Sequence, residues 1–141
     1  MVFCELLQKV AHMPANASAP CPSSYAPGAH VLLDMWGVQP ALLEDETAIA
    51  ATLRRAAEHC GATVLDIRLH HFGDGYGVTG VALLAESHIT IHSWPETGFA
   101  ALDIFMCGEC EAKNAVAPLL ADFSPQKHQV TSYLRGAIKP T

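Results

Sequence analysis

The chain has 141 residues, half of them apolar and 16% charged, which leaves room for one hydrophobic core and excludes the composition of a disordered segment. Eight basic against fourteen acidic residues give a formal net charge of −6, which offers no footprint for a nucleic-acid backbone and favours small cations. Five scattered cysteines (Cys4, Cys21, Cys60, Cys107, Cys110) do not form the disulfide framework of a small secreted domain, and this points to a reducing cytosol.

Residues 1–13 are apolar but interrupted by Glu5, Gln8 and Lys9 with no basic leader, so they do not read as a signal peptide. No window approaches the roughly 18 apolar residues of a membrane span. The stretch PANASAPCPSSYAPG (14–28) has the composition of a loose arm. Residues 1–27 are therefore expected to be a flexible N-terminal extension, and 28–141 a single folded domain.

HVLLDMWGV, from His30, predicts a buried strand. Asp45 is placed to cap a helix whose apolar positions Ile49, Leu53, Ala56 and Cys60 follow the 3.6-residue period, and Gly61 stands where a left-handed residue ends it. ATVLDIRLHHF (62–72) and VTGVALLA (78–85) flank the turn-rich FGDGYG and predict a hairpin. Strands over 88–94 and 99–107 follow. A second helix is expected over about 111–122, shortened or kinked by Pro118, and a last strand over 128–135. The order β-α-β-β-β-β-α-β predicts an α+β fold, an antiparallel sheet with two helices on one face.

The chemistry gathers in LAESHITIHSWPE (84–96). Alternation puts Ile89 and Ile91 on one face of that strand and His88, Thr90, His92 and Trp94 on the other, with Ser87 at its entrance. Cys107 and Cys110 form C-x-x-C. Zinc would take these two with His88 and His92, but structural zinc ligands usually come from tight knuckles rather than from along a strand. A thioredoxin-like pair should open a helix, whereas this one follows a strand. Ser87 lacks the G-x-S-x-G elbow of a serine hydrolase. His70 and His71 point to opposite faces and read as structural or solvated.

Taken together, several motifs resemble the prokaryotic S-adenosylmethionine decarboxylases, pyruvoyl enzymes made as self-cleaving proenzymes. They are Gly28-x-His30 before a strand ending in Trp36-Gly37, Cys60-Gly61-Ala62, GVTG (77–80), Glu86-Ser87-His88, His92, Pro95-Glu96 and Cys107-Gly108. The resemblance runs in order from Gly28 to about Arg135. It implies cleavage between Glu86 and Ser87 into chains 1–86 and 87–141, the second bearing a pyruvoyl group made from Ser87, with no pyridoxal phosphate.

It further implies that Ser87 Oγ attacks the Glu86 carbonyl, that His92 handles protons during processing, and that the Thr79 hydroxyl assists where many relatives have Ser. Cys107 matches the family's proton donor, for which a thiol that is still protonated at neutral pH is suited. Glu96 matches the residue that holds the ribose hydroxyls, and Phe72 the ring that stacks on adenine. Phe72 stands seven residues before Thr79 where six is commoner, with Tyr76 between them. Trp36 and Asp34 read as structural or interfacial.

The partners so implied are S-adenosylmethionine and a second copy of the chain, in a dimer of layered sandwiches. Two alternatives remain open. The same machinery could act on ornithine or arginine, or the His and Cys pairs could serve a non-catalytic metal-binding domain.

Overall fold

The computed structural model describes residues 27–85 and 87–136. The expected extension and the Glu86 side of the cleavage bond lie outside these described residues, save for Pro27. The elements are β1 (Gly28–Trp36), α1 (Pro40–Glu44), α2 (Glu46–His59), β2 (Val64–His71), β3 (Val78–Leu84), β4 (Ser87–Trp94), β5 (Phe99–Met106), a 3-10 turn (Ala112–Ala115), α3 (Val116–Phe123) and β6 (Lys127–Arg135).

Six strands form one sheet in the order β2-β3-β4-β5-β1-β6, every pairing antiparallel. Consecutive hairpins build β2 to β5. The first strand then lies against β5, and the last strand pairs with the first.

Helix α2 starts where Asp45 accepts a hydrogen bond from the Ala48 amide at 2.9 Å, satisfying one of the donors that a first turn leaves unpaired. It ends before Gly61, whose φ of 77° lets the chain leave through the left-handed region. Two helical features differ from the expected pair. A short helix, α1, precedes α2 because Pro40 occupies its first turn with φ already preset. Pro118 leaves the second helix intact because it falls in the first turn of α3, where its missing amide would have had no partner.

The helices cover one face of the sheet. Val31, Leu33 and Met35 of β1, Ile89 and Ile91 of β4, and Leu102, Ile104 and Met106 of β5 pack with Ile49, Leu53, Ala56, Leu119 and Phe123 in a single core. Each fully buried Leu or Ile there contributes about 1.5–3 kcal/mol by leaving water. The alternate residues point to the other, uncovered face and are only partly buried. That face carries a polar and aromatic lattice. Asp103 takes His30 Nε2 at 3.1 Å and the Thr90 hydroxyl at 3.4 Å, His88 stacks on Phe105 at 5.7 Å, and Trp94 stacks on Phe99 at 5.2 Å. No helix among the described residues is long and apolar enough to cross a membrane.

Candidate active site

Strand β4 carries reactive groups at both ends. At its start, Ser87 is only 7% exposed. Its hydroxyl accepts a hydrogen bond from the Cys107 amide at 3.3 Å and lies 3.9 Å from Cys107 Sγ. Antiparallel pairing of β4 with β5 produces this meeting. His88 sits opposite Phe105, so the register carries Ser87 to the level of Met106, and Cys107, the next residue, comes within reach of Ser87 although twenty residues separate them in sequence.

At the far end, the register of β3 with β4 sets Thr79 opposite His92, and the Thr79 hydroxyl lies 2.8 Å from His92 Nδ1. Around this pair is a cavity of about 480 Å³ whose lining includes Phe72, Tyr76, Thr79, His92, Trp94 and Glu96. Its rings are open to solvent, Phe72 at 58%, Tyr76 at 63% and Trp94 at 39% exposed, so the cavity has aromatic walls ready to cover a planar ligand.

Two features hold this end in shape. Buried Ser93 accepts from the Val78 amide at 2.8 Å and donates to the Leu43 carbonyl at 2.6 Å, tying β3, β4 and α1 together beneath His92 and Trp94. Glu44, at the end of α1, accepts from the Gly75 amide at 3.1 Å and so pins the loop that presents Phe72 and Tyr76. Gly77 is required where that loop returns, since a Cβ there would collide with the Ser93 carbonyl.

The described structure therefore brings together Ser87 with Cys107, and Thr79 with His92, Glu96 and Phe72. It does not bring the two groups to each other. Ser87 and His92 are five residues apart along an extended strand, roughly 17 Å. Tyr76, which the sequence sets in the same loop as Phe72, lines the cavity with it. Two contributors escape the sequence reading, Ser93 and Glu44, because their roles depend on long-range contacts.

Electrostatics distinguish the remaining candidates. His88 is held below the usual imidazole range, first by burial and then by neighbouring His30, against the opposing pull of Asp103. Burial, with Cys110 nearby, raises Cys60 from the ordinary thiol value of 9.0 to about 11. Among the described residues no three or more His, Cys, Asp or Glu side chains are gathered as a metal set, so His88, His92, Cys107 and Cys110 do not converge as zinc ligands.

The family model of S-adenosylmethionine decarboxylase matches residues 29–136. An S-adenosylmethionine decarboxylase proenzyme from Methanococcus maripaludis is 43% identical over 113 residues, covering 79% of this chain and 92% of that protein. One from Parasynechococcus marenigrum is 44% identical over 109 residues, covering 77% and 84%. The crystal structure of the adenosylmethionine decarboxylase from Aquifex aeolicus superposes with a TM-score of 0.72 at 29% identity, over 84% of this chain and 98% of that one. With sheet, motif order and overall match in agreement, the chain belongs to the S-adenosylmethionine decarboxylase family.

Proposed function

We propose that this chain is a proenzyme that cuts itself between Glu86 and Ser87 and then removes the carboxylate of S-adenosylmethionine as carbon dioxide, in a site shared by two copies. The observation that carries the reading is the contact of Ser87 with Cys107 at one end of β4, set against the Thr79–His92 pair at the other.

Self-cleavage begins with Ser87 Oγ attacking the Glu86 carbonyl, which turns an amide into an ester. The Ser87 oxygen sits in a place nearly closed to water, where competing hydrolysis is suppressed. Loss of the Ser87 α-proton expels the Glu86 carboxylate, and hydrolysis of the resulting dehydroalanine releases ammonia. Serine at this position, with its oxygen held by an amide N–H and a thiol beside it, fits a pyruvoyl group as product. Once formed, that group supplies the electron sink that pyridoxal phosphate supplies in other decarboxylases.

The chain's residues divide the remaining work. Cys107 holds a thiol beside the reacting position and delivers a proton to the substrate α-carbon after carbon dioxide leaves. His92, oriented by Thr79, takes and returns protons during processing of the other copy's cleavage site, its own lying roughly 17 Å away. Phe72, Tyr76 and Trp94 cover the adenine and face the sulfonium with aromatic rings, while Glu96 accepts from the ribose hydroxyls. A cavity with three rings and one carboxylate suits a nucleoside better than ornithine or arginine.

The separation of roughly 17 Å along β4 calls for a second copy. One chain cannot present both ends of β4 to one substrate. A two-fold dimer that packs the uncovered sheet faces together places the Ser87–Cys107 end of one copy against the Thr79–His92 end of the other, and it covers the partly buried lattice of His30, His88, Thr90, Asp103 and Phe105.

Denaturing electrophoresis with a decarboxylation assay tests the reading. Expected are two bands of roughly 9 and 6 kDa from the 15.1 kDa chain, with carbon dioxide released from S-adenosylmethionine and not from ornithine or arginine. Full activity from an uncut chain would overturn it.

A further inference from the structure

The proton-donating role uses one sulfur of the C-x-x-C motif and leaves Cys110 unexplained. Strand β5 ends at Met106, and Gly108 and Glu109 then form a two-residue turn. Gly108 has a φ of 72°, a conformation that a side chain would strain. Cys107 and Cys110 stand at the two ends of this reversal, where α-carbons lie within about 7 Å of each other. A disulfide needs about 4.4–6.8 Å. Both cysteines are partly exposed, and Cys110 packs on the core that also contains Cys60.

We propose that Cys107 and Cys110 are an oxidisable dithiol, a modification site for small disulfides, and that closing it switches the decarboxylase off by consuming the thiol beside Ser87. The effect on activity rests on the reading of Cys107 as proton donor; formation of the bond does not.

The chemistry balances as two exchanges. The Cys107 thiolate attacks one sulfur of a small disulfide, breaking its S–S bond, forming a mixed disulfide and expelling one small thiolate. The Cys110 thiolate then attacks Cys107 Sγ, forming the internal bond and expelling the second. The protons given up by the two cysteines end on the two released thiols, so the cysteine pair is oxidised by two electrons and the small disulfide is reduced. Burial, together with the charges of Cys107 and Glu109, pushes the Cys110 thiol up. Cys110 therefore suits the second, intramolecular step, where proximity offsets a scarce thiolate. The motif follows a strand instead of opening a helix, so it lacks the helix-end dipole that stabilises the thiolate, and with it the reduced form, in thioredoxin-like pairs.

The test uses the processed enzyme at graded ratios of reduced to oxidised glutathione. Expected is a fragment 87–141 lighter by two hydrogens and without a glutathione adduct, with activity falling in step and returning with dithiothreitol. Because Cys60 lies in the other fragment, a Cys107–Cys110 bond leaves the two fragments separate on a non-reducing gel, whereas a bond to Cys60 would hold them together. Cys110→Ser and Cys110→Ala should keep activity when reduced and never lose the two hydrogens. No internal bond at any ratio, or a bond to Cys60, overturns the proposal. A Cys107–Cys110 bond with full activity retained would overturn instead both the switching and the assignment of Cys107 as proton donor, leaving the two-band cleavage result untouched.

Discussion

The two ends of β4 share one strand and differ in almost every physical respect. The Ser87 end is closed, small and sulfur-rich, with one nearly buried hydroxyl touching one thiol. The His92 end is open, aromatic and shaped as a cavity, held by Ser93 and by Glu44 on the short helix α1. The proposed self-cleavage needs the first environment, because a serine that attacks its own backbone has to be held away from water. Binding a nucleoside needs the second. A strand eight residues long lets both environments exist in a small domain, at the cost of separating them, and in the proposed dimer a second copy restores their contact.

The comparison can be broken most sharply at its closed end. Ser87→Ala should leave a single 15.1 kDa chain with no detectable carbon dioxide release, whereas no single change in the open end should remove both the cut and the fold. Next in size is complementation. Processed Cys107→Ala and Glu96→Ala chains, each nearly inactive when assayed at substrate concentrations far below the KM of the Glu96 variant, should recover about one quarter of wild-type activity after dissociation and mixing, because half of the dimers are mixed and each mixed dimer regains one intact site. Failure to recover any activity, with mixed dimers demonstrated by mass, would show that one chain supplies the whole site.

Within the open end, His92→Ala should slow self-cleavage by about 10²–10⁴-fold, the range of one general acid–base group, as followed by band conversion over time. Thr79→Ser should cleave at close to the wild-type rate. Glu96→Gln should raise KM for S-adenosylmethionine by roughly 10-fold with little change in kcat, since one charged acceptor for a hydroxyl is weakened and not lost.

The smallest effect concerns stability and returns to the sulfur-rich end. Cys60 is raised from 9.0 to about 11 in the fold, so the native state holds its proton where the unfolded chain has released it. That stabilisation is complete below pH 9 and is lost as pH rises from about 9 to 11, amounting to roughly 2–3 kcal/mol. Denaturant midpoints measured across this range should fall, and Cys60→Ala should flatten the decline.

Much of this was legible in the amino-acid order because it is local. Asp45 and Gly61 bracket α2, alternation separates Ile89 and Ile91 from His88 and His92, and the spacing of Ser87, His92 and Cys107 carries the family resemblance. The caps and the alternation survive in sequence because each depends on neighbours two to four residues away, whereas the twenty-residue spacing from Ser87 to Cys107 is legible only through the family resemblance.

What only the tertiary structure decided is long-range. Placing β1 between β5 and β6 and seating Cys107 against Ser87 depend on strand register, and supporting the cavity through Leu43 and Glu44 depends on where α1 docks on the sheet. Register is chosen by burying one whole sheet face under the helices at once. No short segment contains that information, because a one-residue slip leaves every local pattern intact while turning each side chain to the other face.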